Sequence, residues 1–345
     1  MNLSDLNKVA LAMVTPGKGV LAADESSGTI KKRFDAIHVE STEEARRDYR
    51  EMLFRSEEAM SKYISGVILY DETIWQNAKD GTPLVRLIEQ SGAIPGIKVD
   101  EGTQSLPNCP GELITAGLDK LAERLKKYYE RGARFAKWRA VIDIGQNIPT
   151  MTAIHVNAHA LARYAALCQA AQIVPIVEPE VLMDGDHDLA ASSAATEASL
   201  QALFAELVAQ GVMLEGVLLK PNMVLAGLKA AQQPDVDAVA AATLTVLRRC
   251  VPPAVAGVAF LSGGQPAVLA SERLNAMAVL SKSPGWETPW PVTFSYSRAV
   301  QQPALELWRG KAGNVAAAQR ALMHRLRCNS AARAGTYSAA LEAAA

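Results

Sequence analysis

The chain alternates short apolar runs with longer segments of helical periodicity. Eight runs rich in valine and isoleucine each end in polar, glycine or proline residues, as buried strands do. The segments between them, such as STEEARRDYREMLFRSEEAMSKY, repeat apolar residues at three- and four-residue intervals, and this segment begins like a capped helix. The predicted strands lie near residues 19–26, 64–72, 94–102, 133–141, 173–180, 215–222, 257–264 and 291–298.

Eight strands alternating with helices predict an α/β fold with a parallel sheet, because each parallel pair needs a crossover helix. Over 345 residues this alternation favours a closed (β/α)8 barrel, the TIM-barrel architecture. The alternative is an open doubly wound sheet, a fold that often carries a GxGxxG turn after its first strand. Here the first strand is followed by ADESSGT, which lacks that motif and argues against the open sheet. We therefore expect one barrel domain over residues 1–330 and a flexible, alanine-rich C-terminal tail over residues 331–345.

The composition narrows the class of protein. With 49% hydrophobic and 21% charged residues, the chain can bury a large core. A formal net charge of -1, without a basic ribbon, gives no field that would attract nucleic acid. The four scattered cysteines lack a CxxC pair and are typical of reduced thiols. Neither a signal pattern nor a membrane-length apolar stretch stands out, so we expect a cytoplasmic protein that binds neither nucleic acid nor membrane.

Polar and charged side chains stand at or just before the end of seven of the eight runs. A single charge at a strand end is usually a side chain that reaches water. In a barrel, however, catalytic groups project from the C-terminal ends of several strands, so the repetition predicts one shared site. The residues concerned are Asp24, Lys98, Lys137, Arg139, Glu178, Glu180, Lys220, Ser262 and Arg298.

The period of two along a strand groups four of these side chains. Lys137 and Arg139 must share one face of their strand, and Glu178 and Glu180 must share one face of the next. Two cations then stand beside two carboxyl groups. Acids in such a setting can have their pKa values driven apart, so that one accepts a proton while the other donates one.

Lys220 is the candidate nucleophile. It follows the apolar residues of EGVLLKPN, where a charged amine against an apolar wall is costly. Nearby Lys137 and Lys98 would also disfavour its ammonium form, and a neutral lysine amine can form an imine with a carbonyl group. Such an imine withdraws electrons, so a neighbouring carbon–carbon bond can break without a metal ion.

Two groups of residues predict contacts with phosphate. The turn FLSGGQ places Ser262 and Gly263 where backbone N–H groups can point at an anion, and Arg298 comes from the neighbouring strand. The loops after the last two strands are a common phosphate site in barrels. A second group of cations, residues 31–33, could meet another phosphate, although a basic first helical turn is often only a solvated face.

These motifs together resemble the class I, Schiff-base fructose-1,6-bisphosphate aldolases over the whole catalytic domain of that family. The matching stretches, in the family's order, are GKGVLAADESSGTIKKRF, GVILYDET, GIKVDEG, FAKWRAV, IVPIVEPEVLMDGDHDL, LEGVLLKPNMV, RRCVPPAVAGVAFLSGGQ, LNAM and TFSYSRAV. The resemblance implies a lyase of glycolysis and gluconeogenesis that reversibly cleaves fructose 1,6-bisphosphate to dihydroxyacetone phosphate and glyceraldehyde 3-phosphate. It also implies a lysine imine and enamine, no metal cofactor, and a homotetramer.

The resemblance also implies roles for individual residues. Lys220 would form the imine, and Glu178, with Glu180 as its partner, would be the general acid and base. Asp24 would orient Lys220 and the reacting hydroxyl groups, while Lys137 would stabilise developing negative charge. The positions that hold the C1 phosphate are Ser262, Gly263 and Arg298, and those that meet the other end of the substrate are Thr29, Arg33, Lys98 and Arg139.

Three positions depart from the family pattern. Ser297 replaces the glycine of SYGRAL beside Arg298, and Thr29 stands where serine is commoner. Many members end in a tyrosine that helps to protonate the enamine, whereas this chain ends in LEAAA. We do not transfer that role to Tyr337. The source of the enamine proton, and the choice between fructose 1,6-bisphosphate and fructose 1-phosphate, stay open at this point.

Two rival hypotheses follow from the same residues. A metal-dependent aldolase is one, because HVNAH sets His155 and His159 one helical turn apart, but no third ligand has matching spacing. The acidic stretch DGDHD is better explained as the cap of the following helix. The other rival is a barrel retained only for binding or scaffolding. The complete set of Lys220, Glu178, Asp24 and Lys137 argues against it.

Overall fold

The computed structural model, which describes residues 3–343, contains one closed barrel of eight parallel strands. Each strand pairs with its neighbour in sequence, and the last pairs with the first through Val20 and Ser295. Closure confirms the predicted (β/α)8 barrel and excludes the open sheet. The barrel strands are β1 (Gly19–Ala23), β2 (Ile64–Leu69), β3 (Ile94–Lys98), β4 (Phe135–Ile142), β5 (Val174–Val181), β6 (Leu218–Leu219), β7 (Gly257–Phe260) and β8 (Val292–Tyr296).

Helices surround this barrel and connect its strands. They are α1 (Leu3–Met13), α2 (Ser27–Asp35), α3 (Glu43–Phe54), α4 (Glu57–Tyr63), α5 (Asp71–Trp75), α6 (Leu84–Gln90), α7 (Leu121–Glu130), α8 (Met151–Ala170), α9 (Leu189–Ala209), α10 (Val236–Cys250), α11 (Ala267–Leu280), α12 (Arg298–Trp308), α13 (Val315–Ala334) and α14 (Ala339–Glu342). Two predicted caps are confirmed, since Thr42 caps α3 and Asp188 of DGDHD caps α9. No described helix has the length and apolar character to cross a bilayer.

One small element was not predicted. Thr103–Ser105 and Leu113–Thr115 pair as an antiparallel hairpin after β3. Its first strand is polar and fully exposed, so it lacks the alternation by which a strand is recognised in sequence. The hairpin follows the end of β3 at the mouth of the barrel, where Thr103 lines the central cavity.

The N-terminal end of the barrel is closed by apolar side chains. Leu6, Ala10 and Met13 of α1 pack against barrel residues in one buried cluster. Phe135 belongs to this cluster and fills the space above two glycines: a Cβ atom on Gly96 would lie 2.3 Å from the Phe135 ring, and one on Gly66 would lie 2.9 Å from it. The polar residues at the other end of the strands therefore stand on an apolar floor.

The predicted domain boundary at residue 330 lies inside α13. Ala332 is buried, and Arg333 donates hydrogen bonds to the carbonyl groups of Val14, Thr15, Lys18 and Val292. Beyond the helix, the Tyr337 backbone N–H donates to Asn275 Oδ1 at 3.0 Å. Mobility of the tail stays a prediction, and residues 344 and 345 lie outside the described part of the chain.

We expect Gly96→Ala to lower the free energy of unfolding by about 1 to 3 kcal/mol, because the new methyl group overlaps the ring of Phe135. Gly313→Ala is the matched control, since nothing lies within 4 Å of a Cβ atom at that position. Urea denaturation of both variants measures the difference. Equal stabilities for Gly96→Ala and the wild type would contradict the packing described for the barrel floor.

Candidate active site

A cavity of about 690 Å³ opens at the C-terminal ends of the barrel strands. Five of the eight strands contribute lining residues, and the residues that directly follow β6 and β7 complete the wall; β2 contributes none. The cavity brings together all the residues that the sequence analysis assigned to catalysis or to phosphate binding in the aldolase hypothesis, while their chemical roles stay predictions. These residues are Asp24, Thr29, Arg33, Lys98, Lys137, Arg139, Glu178, Glu180, Lys220, Ser262, Gly263 and Arg298.

Lys220 extends from the end of β6 into this cavity. Its backbone N–H donates to the carbonyl of Val177 in β5 at 2.9 Å, which continues the sheet by one residue beyond the strand. The side chain is only 5% exposed, and Nζ lies 3.1 Å from Glu178 Oε1. No other carboxylate of the described chain forms an ion pair with this amine. Lys220 is thus a buried amine with one acid directly beside it, not a surface lysine.

Lys137 lies among three carboxylates. Its Nζ is 2.8 Å from Asp24 Oδ2, 3.3 Å from Glu178 Oε2 and 3.9 Å from Asp100 Oδ2. Burial alone would lower the pKa of Lys137, but the attraction of Asp24, Glu178 and Asp100 outweighs it and raises this pKa well above its usual range. Lys137 is therefore a fixed positive charge at the centre of the site.

Asp24 is correspondingly a fixed negative charge. Burial would raise the pKa of Asp24, but Lys137, Lys220 and Lys98 hold it well below its usual range. Glu178 contacts both lysines, one through each carboxylate oxygen. Its Oε2 is at ion-pair distance from Lys137 but accepts no hydrogen bond in the described structure. That oxygen is consequently available to a hydroxyl group of a ligand.

The other acid of VEPE has a different partner. Glu180 pairs with Arg139, whose guanidinium Nε donates to Glu180 Oε2. Burial lowers the pKa of Arg139, but Glu180 and Glu178 raise it above its usual range overall. The predicted pairing of two cations with two carboxylates is present, and it separates into a lysine–Glu178 group and an Arg139–Glu180 pair. The two acids of one strand face thus have different electrostatic surroundings.

Asp100 is a site residue that the sequence analysis missed. Its Oδ1 lies 2.8 Å from Lys98 Nζ, and its Oδ2 accepts the Arg139 backbone N–H at 3.4 Å. The side chain is buried and lines the cavity. A signal was present in KVDEG, because a period of two from Lys98 places Asp100 on the same side of the chain.

The turn after β7 lies against the beginning of α12. Gly263 and Gly264 have backbone φ values of +60° and +100°, which residues other than glycine rarely adopt. A Cβ atom on Gly264 would lie 2.7 Å from Arg298 Nη2, so the glycine also gives the guanidinium room to approach the turn. Burial and the charge of Arg33 lower the pKa of Arg298. An anion between these cations would relieve their repulsion.

Arg33 is tied to the same end of the cavity by Ser297 and Glu25. Arg33 Nη1 donates to Glu25 Oε1 at 2.5 Å, and Nη2 donates to Ser297 Oγ at 3.1 Å. The Ser297 hydroxyl in turn donates to Glu25 Oε1 at 2.8 Å, and Arg50 holds the other oxygen of Glu25. The structure therefore places Arg33 beside Arg298, whereas the resemblance groups it with Thr29, Lys98 and Arg139.

Other candidates from the sequence lie outside the cavity. His155 and His159 are partly exposed on α8, and both contact Glu206 of α9. Tyr337 donates its hydroxyl hydrogen to Glu342 at 2.6 Å and lines a separate groove beside α10 and α11. Neither the histidine pair nor Tyr337 reaches Lys220, because none of them lines the central cavity.

Fold and site together define a class of barrel enzyme in which a buried lysine and an adjacent acid face a cavity bordered by cations. Comparison with known proteins gives the family. The family model described as fructose-bisphosphate aldolase class-I matches residues 5–345. The chain belongs to the class I fructose-bisphosphate aldolase family, whose members are lyases that use a lysine imine and no metal.

Individual relatives agree over almost the full chain. A probable fructose-bisphosphate aldolase class 1 of Xanthomonas campestris pv. campestris is 51% identical over 98% of this chain and 99% of its own. The Arabidopsis thaliana protein named fructose-bisphosphate aldolase 6, cytosolic, is 51% identical over 94% and 88%. A Plasmodium falciparum fructose-bisphosphate aldolase, solved with TRAP and a small-molecule inhibitor, has a TM-score of 0.94 and 47% identity and covers 97% of this chain and 95% of its own.

We expect Asp24→Asn to destabilise the fold at neutral pH by about 3 kcal/mol, because it removes one partner of a buried ion pair. The folded-state pKa of Asp24 is lowered from 3.8, so its stabilising contribution is complete above that value. This contribution is lost as the pH falls towards the folded-state pKa. The stability difference between variant and wild type should therefore narrow below pH 3.8.

Urea denaturation over a pH series measures this effect. Asp35→Asn is the control, since Asp35 pairs with Lys31 on the exposed surface of α2 and such pairs contribute about 0 to 1 kcal/mol. A stability difference for Asp24→Asn that stayed constant down to acid pH would contradict the lowered pKa.

Proposed function

We propose that this chain reversibly cleaves fructose 1,6-bisphosphate to dihydroxyacetone phosphate and glyceraldehyde 3-phosphate, with Lys220 as the imine-forming residue. The observation that carries this proposal is the 3.1 Å contact between the buried Lys220 Nζ and Glu178 Oε1. An amine must lose a proton to attack a carbonyl, and the resulting hydroxyl must gain one to leave as water. A carboxyl group in direct contact with the amine can serve both steps.

In the first stage Lys220 Nζ attacks the C2 carbonyl of the sugar and forms a carbinolamine. Glu178 donates a proton to the departing hydroxyl group, and water leaves to give the protonated imine. The positive charge of Lys137 stabilises negative charge that develops on substrate oxygens. Asp24 stays ionised, because the surrounding lysines lower its pKa, and it orients Lys220 and the reacting hydroxyl groups.

In the second stage the C3–C4 bond breaks. Glu178 accepts the proton of the C4 hydroxyl, glyceraldehyde 3-phosphate forms, and the bonding electrons move into the imine to give an enamine on Lys220. Protonation of the enamine at C3 and hydrolysis of the imine release dihydroxyacetone phosphate and the free amine. Glu180 holds Arg139 in place beside this chemistry.

The enamine proton comes from a group at the cavity. Tyr337 bonds Glu342 and Asn275 instead of facing Lys220. Glu178 carries the proton that it accepted from the C4 hydroxyl group and is the carboxyl that contacts Lys220. We therefore assign the protonation of the enamine to Glu178.

The two phosphates bind at opposite sides of the cavity. We assign the C1 phosphate to Ser262, Gly263 and Arg298, where backbone N–H groups of a glycine turn and a guanidinium converge. We assign the C6 phosphate to Thr29, Arg33, Lys98 and Arg139, as the resemblance implies. Arg33 is also hydrogen-bonded to Ser297, the residue before Arg298.

We also propose that the enzyme is cytoplasmic and assembles as a homotetramer. The first proposal is supported by relatives that are named cytosolic and by the scattered cysteines. The second rests on the family resemblance, and sedimentation equilibrium of the full chain tests it.

Replacing Lys220 by Met should abolish cleavage, because no imine can form, while the circular dichroism spectrum stays that of the wild type. Borohydride reduction in the presence of dihydroxyacetone phosphate should leave one reduced substrate adduct on Lys220 in the wild type, with a mass equal to the substrate less one oxygen atom, and none in Lys220→Met. EDTA should leave the wild-type rate unchanged. Lys229→Met is the control, since Lys229 lies on an exposed loop outside the cavity. Normal turnover in Lys220→Met would refute the mechanism, and chelator inhibition without an adduct would support the metal-dependent rival.

Ser297→Gly should raise KM for the bisphosphate about fivefold with little change in kcat, because a lost hydrogen bond to Arg33 costs about 1 kcal/mol. Ser297→Thr keeps the hydroxyl group and should restore the wild-type KM. Steady-state kinetics of the three proteins separates binding from chemistry. An unchanged KM in Ser297→Gly would mean that Glu25 alone positions Arg33.

A further inference from the structure

Three side chains near the end of the chain form a cluster that the aldol chemistry does not use. They are His324 and Cys328, one helical turn apart on α13, and Glu342 at the end of α14. One ligand atom from each residue lies within 4.8 Å of the other two. Cys328 is fully buried, while the side chains of His324 and Glu342 are only 14% and 22% exposed. None of the three lines the catalytic cavity.

We propose that His324, Cys328 and Glu342 form a binding site for a zinc ion that fastens α14 to α13. Thiolate sulfur, imidazole nitrogen and carboxylate oxygen are the three donor types that zinc prefers in proteins. The i, i+4 spacing puts the first two donors on one face of the helix. The third comes from a separate segment, so the ion links two parts of the chain.

The distances between the donor atoms fit tetrahedral coordination. His324 Nε2 lies 3.7 Å from Cys328 Sγ and 3.3 Å from Glu342 Oε2. With Zn–S of about 2.3 Å and Zn–N and Zn–O of about 2.1 Å, a tetrahedral ion separates sulfur from nitrogen by about 3.6 Å and nitrogen from oxygen by about 3.4 Å. Cys328 Sγ and the Glu342 carboxylate oxygen lie within 4.8 Å of each other, against about 3.6 Å around a tetrahedral ion, so the Glu342 carboxylate turns towards the metal when it binds. A water molecule completes the coordination.

The groups around Glu342 serve as supports for this ligand. Arg325 Nη1 lies 2.6 Å from both carboxylate oxygens, and Tyr337 donates to Oε1 at 2.6 Å. Arg325 is itself held by the carbonyl of Ala267 and the hydroxyl of Ser271. Tyr337 and Arg325 can keep Oε1 while Oε2 turns to the metal, which is the usual arrangement of partners behind a metal ligand.

The charges and protons of the binding step balance. Zinc binds the Cys328 sulfur as a thiolate and displaces its proton to solvent, and Glu342 is already a carboxylate paired with Arg325. The thiolate and the carboxylate neutralise the two positive charges of the ion, which leaves the charge of Arg325. His324 binds as neutral imidazole.

Metal binding to the full-length protein tests the proposal. Protein stripped with EDTA should take up one zinc ion in competition with a chromophoric chelator. Cobalt(II) in its place should give a near-ultraviolet thiolate-to-cobalt charge-transfer band. Cys328→Ser should abolish the band and weaken zinc binding at least tenfold. Glu342→Gln should weaken zinc binding several-fold but keep the band, because the Cys328 thiolate is still present. Cys250→Ser, which changes a cysteine on α10, is the matched control and should behave as the wild type.

A second measurement follows the end of the chain. Zinc should slow removal of the C-terminal residues by a carboxypeptidase in the wild type and in Cys250→Ser, but not in Cys328→Ser. Cleavage of fructose 1,6-bisphosphate should be the same with and without zinc, so failure here is distinct from failure of the proposed aldolase mechanism. The proposal is overturned if Cys328→Ser binds zinc as the wild type does. It is also overturned if His155→Ala, which alters the other histidine cluster, abolishes binding instead.

Discussion

The site depends on the burial of Lys137 between Asp24, Glu178 and Asp100. Burying separate charges is costly, and their mutual attraction offsets that cost only when the distances are short and fixed. The barrel supplies such distances, because parallel strands deliver one side chain each to the same end. Asp24 directly follows β1, Asp100 follows β3, Lys137 lies in β4 and Glu178 in β5. The same attraction fixes Asp24 as an anion and Lys137 as a cation. In the proposed mechanism Glu178, which contacts Lys220 directly, is therefore the acid that transfers protons.

The lower half of the barrel makes this arrangement possible. α1 and Phe135 fill the N-terminal end with apolar side chains, while the charged groups line the cavity at the opposite end. In that setting electrostatic interactions are stronger than in water. The glycines beneath Phe135 belong to the same design, since a larger residue at 96 would displace the ring. The apolar floor and the charged end of the barrel are thus joined by short strands, since β3 has five residues and β4 has eight.

Sequence patterns predicted the barrel and most of the residues that line its cavity because both depend on local alternation, whereas Thr29 was selected only by the family resemblance. Each strand had an apolar run, and seven of the eight runs had a polar or charged residue at or just before the end, which is information within a few neighbouring positions. β6 was recognised in the same way even though its strand has two residues. Which of these charged residues pair with one another could not be predicted from the sequence, because the partners lie far apart along the chain. Nothing in the sequence shows that Arg33 contacts Ser297, 264 positions away, or that Glu25 carries both Arg33 and Arg50. Likewise, the donors His324 and Cys328 meet Glu342 only because α14 folds back onto α13.

The cations around the cavity differ in what they must give up to bind a phosphate. Arg33, Lys98 and Arg139 already pair with Glu25, Asp100 and Glu180 respectively. Arg298 makes no ion pair within the described chain, and Arg33 repels it. A phosphate at Arg298 therefore gains an interaction without breaking one, whereas a phosphate at Lys98 or Arg139 must share the cation with a buried carboxylate. With the proposed assignment, the C1 phosphate provides more of the binding free energy than the C6 phosphate. We therefore expect that losing the C6 phosphate weakens binding less than losing the C1 phosphate, so that the same site can also bind fructose 1-phosphate.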